Sequence, residues 1–208
     1  PHKPAGLNKI ASSDLSLIDR LGVSQVLRHR DFRLVMANSV AYFMGLNMLM
    51  ITRGWVTLRI TEDSPLALAA TMVSMALPTT VVSMLGGVVA DRLPKKHVMV
   101  VSQAAAMLLV VPLVILDITG VIAFWHIFVL GMGSGIVSAF NMPSRQTLIS
   151  EIVPDRQVMS AVSLNNAAMF ITMTLGPAIA GFLIVVVGTA GVFCIVGALF
   201  MLGSFVIG

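Results

Sequence analysis

Two charged stretches hold the side chains best placed to do chemistry. In "GGVVADRLPKK" (86–96), Asp91 and Arg92 follow Gly86 and Gly87 and precede Lys95 and Lys96. In "SRQTLISEIVPDR" (144–156), Arg145, Glu151, Asp155 and Arg156 bring both signs together. Catalysis would need more than this, because no His or Cys accompanies these carboxylates and no metal-ligand spacing appears. No Gly-rich loop ends in Lys-Ser or Lys-Thr, so ATP-driven transport has no motor here. What remains is a reversible ionic contact. Asp91 can pair with a basic group or with the positive end of a helix dipole, and a contact held in one state and broken in another biases the equilibrium between them. A plain positively charged hairpin is the alternative reading of Lys95 and Lys96; the spacing from glycine to Asp-Arg favours the latch.

The elements that position these residues follow from composition. Of 208 residues, 57% are hydrophobic and only 11% charged, unlike a soluble domain of this size. Apolar runs of about 20 residues cross the hydrocarbon core as helices, since only a helix satisfies its own backbone there. Six spans are expected: Leu34 to Ile60, Leu66 to Ala90, His97 to Leu116, Val121 to Met142, Val158 to Val187, and one from Gly191 that is still apolar at Gly208. The fold class is therefore an all-α, six-helix membrane bundle over 34–208. With no initial methionine and an apolar end, the sequence reads as part of a longer protein.

Basic residues set the orientation. Lys3, Lys9, Arg20, Arg28, Arg30 and Arg33 precede the first span; Arg92, Lys95 and Lys96 follow the second; Arg145 and Arg156 follow the fourth. All three groups fall on one side, which is the cytoplasm. The net charge of +4 then belongs to the membrane rim, and nucleic-acid binding is not needed to explain it. Residues 1–33 form a cytoplasmic segment without a signal peptide's apolar core, and "LGVSQVLRHRDFR" (21–33) is expected as a short amphipathic helix on the inner surface. The "SRQTLISEIVPDR" stretch is expected as a connecting helix with its charges in water. Lone Cys194 can form no disulfide within this sequence.

The "GGVVADRLPKK" loop resembles the signature between the second and third helices of the major facilitator superfamily. Gly87, Asp91, Arg92, Lys95 and Lys96 fall on that pattern, with Pro94 where the family usually has glycine. "ITEDSPLALAATMVSMALP" (60–78) and "FVLGMGSGIVSAFNMPSRQTLISEIVPDRQVMSA" (128–161) are similar to stretches of the enterobactin-exporter-like group of bacterial exporters. "LGPAIAGFL" (175–183) resembles the fifth-helix motif of superfamily exporters through Gly176, Pro177 and Gly181, with Ala180 replacing a glycine. The resemblance implies the N-terminal half of a twelve-helix fold made of two inverted three-helix repeats. It also implies a missing six-helix half that holds the latch partner, a small-molecule substrate, no cofactor, proton coupling, and a bacterial cytoplasmic membrane. A membrane-embedded enzyme and a non-transporting scaffold are the competing classes. Many proton-coupled members carry an arginine inside the fourth helix; residues 121–142 contain none, and His126 reads as an interfacial histidine beside Trp125 rather than a relay.

Polar residues are costly in a membrane and so point to function. On the first span, 100° steps put Asn38, Tyr42, Gly45, Leu49, Thr52 and Arg53 in one arc, the candidate substrate wall, since the resemblance turns the first and fourth helices to the cavity. Arg53 is expected to face that cavity and meet an anionic group; snorkelling to the outer headgroups is its other reading. On the fourth span Gly131, Ser134, Gly135 and Ser138 make a packing stripe, and Asn141 faces the inner mouth. Asn166 on the fifth reads as cavity or headgroup layer. Methionines such as Met36, Met44, Met48, Met50 and Met72 read first as gap fillers.

Overall fold

A computed structural model describes the backbone of residues 23–92 and 94–207 and the side chains of 25–84 and 94–207. Among the described residues five helices are long and apolar enough to cross a membrane. They are α1 (Arg30–Ile60), α2 (Pro65–Arg92), α3 (Lys95–Ile118), α4 (Phe124–Ile152) and α5 (Asp155–Ile207). The bundle is inverted relative to a soluble one: Leu66, Val185 and Phe205 are more than three-quarters exposed, while Asn38, Thr52, Gln103 and Asn141 are buried. Apolar side chains lose nothing in lipid, whereas polar ones need partners inside.

Connections are short and locally determined. After α1, Glu62 and Asp63 adopt φ of 51° and 60°, the left-handed region in which such tight reversals are made. Ser64 then accepts a hydrogen bond from the Ala67 N–H at 3.4 Å, capping α2. After α3 the reversal uses Gly120, at φ 72°. Pro78, Pro112, Pro143 and Pro177 all lie inside helices that continue past them, as membrane helices allow when neighbours satisfy the freed groups.

α5 is 53 residues long, and its backbone leaves helical geometry at Gly188 (φ 73°, ψ 173°). A Cβ added to Gly176 would lie 2.7 Å from the Asn47 Cβ, and one added to Gly45 would lie 2.9 Å from the Phe200 ring. In a straight helix residues 176 and 200 would be about 36 Å apart at 1.5 Å per residue, yet both touch neighbouring turns of α1. The chain therefore turns back at Gly188, and α5 is two arms that enclose α1.

Two expectations change here. The surface helix expected over 21–33 is, among the described residues, the single turn Val23–Val26, followed by α1 from Arg30. Val26 and Phe32 are fully buried against Ile149 and Val153, so this segment docks on the end of the bundle where α4 finishes. The fourth span does not stop at Met142, and the connecting helix expected over 144–156 is not separate: α4 runs unbroken to Ile152. Pro143 does not end it, and Asn141, Ser144 and Arg145 stay inside through bonds within α4 and to α1, while Gln146, Ser150 and Glu151 are exposed.

Candidate functional site

The contact between α1 and α4 carries two buried arginines, one toward each end. Toward the end that carries Val26 and Phe32, Arg145 of α4 is 1% exposed. Its Nη1 donates to Asn38 Oδ1 at 2.9 Å and to Ser39 Oγ at 2.6 Å, and its Nη2 donates to Asn141 Oδ1 at 3.1 Å. Its guanidinium lies 5.1 Å from the Tyr42 ring centroid and 5.4 Å from that of Phe43, close enough for cation–π attraction. The network extends outward. Asn38 and Gln103 exchange two 2.9 Å bonds, Asn38 also donates to Gly203 O at 2.6 Å, and Asn141 donates to Ser102 Oγ at 2.7 Å. Helices α1, α3, α4 and the second arm of α5 are thereby joined through one buried cation.

Arg145 was expected in water and is instead the largest fully buried side chain among the described residues. The sequence signal was present: Asn141 and Arg145 are four apart, so they share a helix face with Ser134 and Ser138. What hid it was the span boundary at Met142. An arginine inside the fourth helix does exist, three residues beyond the window that lacked one.

Toward the opposite end Arg53 of α1 is 4% exposed. Its Nη2 donates to Ser134 Oγ at 2.8 Å and to Leu130 O at 3.4 Å, while Nε is buried without a partner. The guanidinium does not snorkel. It forms the polar end of a cavity of about 460 Å³ between α1 and α2, lined also by Met50, Leu68, Thr71, Met72 and Met75. Gly131 and Gly135 of α4 close in behind it; a Cβ on either would collide with Ser74 Oγ or with the Met75 carbonyl.

The remaining candidates divide. Asn38, Tyr42 and Asn141 are brought together around Arg145, with the Tyr42 hydroxyl 3.4 Å from Ser138 Oγ, so they are enclosed within the bundle with their polar atoms engaged. Asn166 stands apart and half-buried, and its neighbour Asn165 is the buried one, with Oδ1 unpartnered among the described residues. Gly176 seats α5 against α1, Pro177 is half-buried beside it, and Gly181 faces open space. In the 86–96 stretch, Lys95 pairs with Glu151 at 3.5 Å and Lys96 is exposed. Gly87, Asp91 and Arg92 lie in the last turns of α2, and their side chains lie outside the described residues. His126 accepts a hydrogen bond through Nδ1 from the Ala123 N–H at 3.0 Å and stacks on Trp125, a cap for α4. Among the described residues no cluster of His, Cys, Asp and Glu has a metal-holding arrangement.

The transmembrane secretion effector family matches residues 23–207, almost the whole described bundle. The chain belongs to that family. It is an integral membrane protein of the major facilitator type, a class of transporters and not of enzymes. It is similar to YfiS of Bacillus subtilis (strain 168), an uncharacterized MFS-type transporter, with 28% identity over 144 residues, 69% of this chain and 33% of that protein. The chain thus spans about a third of that relative's length.

Proposed function

We propose that the chain is the N-terminal, six-crossing half of a secondary exporter that moves small amphiphilic molecules across a bacterial cytoplasmic membrane by alternating access. One observation carries this reading, a reciprocal pattern of helix packing. Counting the arms of α5 as the fifth and sixth crossings, α1 seats against the fifth through Gly176 and against the sixth through Phe200. Correspondingly, α4 seats against α2 through Gly131 and Gly135, and against α3 through Gly133 and the Asn141–Ser102 bond. Exchanging α1 with α4, α2 with the fifth and α3 with the sixth converts each contact into the other. Pro78 and Pro177 then occupy corresponding helices. Inverted three-helix repeats of this kind are the architecture through which secondary transporters rock around a central site.

In this reading residues 1–33 are cytoplasmic, residues 34–208 form the bundle, and a second six-helix half completes the cavity. Asp91 with Gly87, Arg92, Lys95 and Lys96 latches one state, and Arg53 and Asn166 supply polarity to the substrate path. Asn38, Tyr42 and Asn141 hold the wall through Arg145. The driving ion is the proton, as the sequence resemblance implies. The test is efflux of a panel of amphiphilic dyes from cells and proteoliposomes containing the full-length protein. Gradient-dependent efflux abolished by a protonophore is expected; efflux of no dye in either direction, with normal insertion, defeats the proposal.

A further inference from the structure

The cavity at Arg53 has an uneven distribution of unsatisfied polarity. Three of its lining residues are threonines, and all three hydroxyls are engaged: Thr71 bonds to Ala67 O and meets Thr57, Thr79 bonds to Met75 O and Gly135 O, and Thr80 bonds to Ala76 O. No carboxylate lines the space. Arg53 is different. Its Nη2 is held by α4, while Nε is buried unpartnered and Nη1 makes no hydrogen bond among the described residues. One cation with donor capacity to spare thus ends an otherwise apolar chamber whose volume, about 460 Å³, falls within the range of small-molecule sites.

We infer that this chamber binds an amphiphile with a single anionic head, the head on Arg53 and the apolar tail along Met50, Met72, Met75 and Leu68. The chemistry excludes other classes. A sugar or polyol would find only a few threonine oxygens with acceptor capacity left and otherwise apolar walls, and each of its unpaired hydroxyls would carry a desolvation cost. A cation would meet Arg53 with no counter-charge nearby. A neutral hydrocarbon would fit the walls and leave the guanidinium unpaired. Carboxylate or phosphate monoanions accept from the guanidinium fork with charge-assisted geometry. Methionine walls adapt to tails of different shape. Met50 and Met72, each about half exposed, lie at the rim of the opening between α1 and α2. This rests on the transporter reading for its purpose, but binding is measurable without transport.

The experiment is equilibrium binding of radiolabelled dodecanoate to the full-length protein in phosphatidylcholine nanodiscs, with dodecanol and dodecyltrimethylammonium as competitors. Saturable dodecanoate binding that neither competitor displaces at equal concentration is expected. Arg53→Gln should weaken it by about ten- to a hundredfold, the loss of a charged hydrogen-bonding partner, and Arg53→Lys by much less. Ala76→Trp, which fills the chamber from an exposed position and leaves the Arg53 bonds intact, should abolish binding with an unchanged melting temperature. Adding phosphatidylglycerol separates two sources of the same chemistry: competition assigns the site to a lipid phosphate, and its absence to a free carboxylate. Equal binding of dodecanol, or dodecanoate affinity unchanged in Arg53→Gln and Ala76→Trp, overturns the inference. Dye efflux persisting without dodecanoate binding refutes this site alone, whereas dodecanoate binding without any efflux refutes the transporter reading alone.

Discussion

The hydroxyls of Tyr42 and Ser138 meet at 3.4 Å between the two buried arginines of the α1–α4 contact. On one side of that meeting Arg53 of α1 donates to α4, and on the other Arg145 of α4 donates to α1. Each helix therefore supplies the cation at one end and the acceptors at the other. Among the described residues neither arginine makes an ion pair; neutral oxygens hold Arg53, and neutral oxygens with the rings of Tyr42 and Phe43 hold Arg145.

Arg145→Ala should lower stability by roughly 2–4 kcal/mol, because three acceptors lose a charged donor at once and stay buried. Arg145→Lys should recover only part of this, since an ammonium cannot reproduce the planar fork that reaches Asn38, Ser39 and Asn141 together. Melting temperatures of the purified full-length protein check both, and a wild-type value for Arg145→Ala would show the network to be dispensable.

Two glycines should behave oppositely. A methyl group at Gly135 meets the Met75 main-chain carbonyl, which cannot rotate away, whereas one at Gly181 meets nothing within 4 Å. Gly135→Ala should cost about 1–3 kcal/mol by forcing α2 and α4 apart, and Gly181→Ala should leave the melting temperature unchanged. Equal effects would mean that the α2–α4 approach is looser than described.

How much of this was legible in the sequence depended on where polar residues find partners. Helix starts and ends near the outer surface were legible, because Thr61 to Ser64 and Thr119 to Gly120 interrupt apolar runs with turn-forming residues. The packing role of Gly131 and Gly135 was legible from their spacing. The inner half of α4 was not: a hydropathy window ends a span at the first polar run and cannot see that Asn141 and Arg145 are satisfied by α1 and α3. Helical phase likewise put Tyr42 and Asn38 on one arc with Arg53 without distinguishing the bundle interior from a cavity wall. On α5 the sequence pointed to Asn166, and the structure buries the adjacent Asn165; a one-residue step rotates a helix by 100°, finer than an uncertain starting phase allows.

At the end of the bundle where α1 and α3 finish, Asp117 accepts from Arg59 and Thr189 and so joins α1, α3 and the start of α5's second arm. The Asp117 side chain is 3% exposed and that of Arg59 47%. Asp117→Asn should therefore be the more damaging change, because it removes a buried charge and replaces one of the two oxygens that Arg59 and Thr189 share with a donor NH2, while Arg59→Gln should cost at most about 1 kcal/mol, as half-exposed pairs do. Thermal melts at low and high salt distinguish them: only the Arg59 contribution should fade with salt.

Asp91→Asn should insert normally and slow efflux, with cysteine accessibility shifted toward one face of the membrane. Normal rates at normal abundance would reduce the 86–96 stretch to a topological hairpin.

The reversal at Gly188 has a mechanical consequence. The two arms of α5 meet at a single non-helical residue, like tongs joined at a rivet, and both jaws close on one level of α1, where Gly176 seats against Asn47 and Phe200 against Gly45. A shift of α1 therefore disturbs both contacts at once.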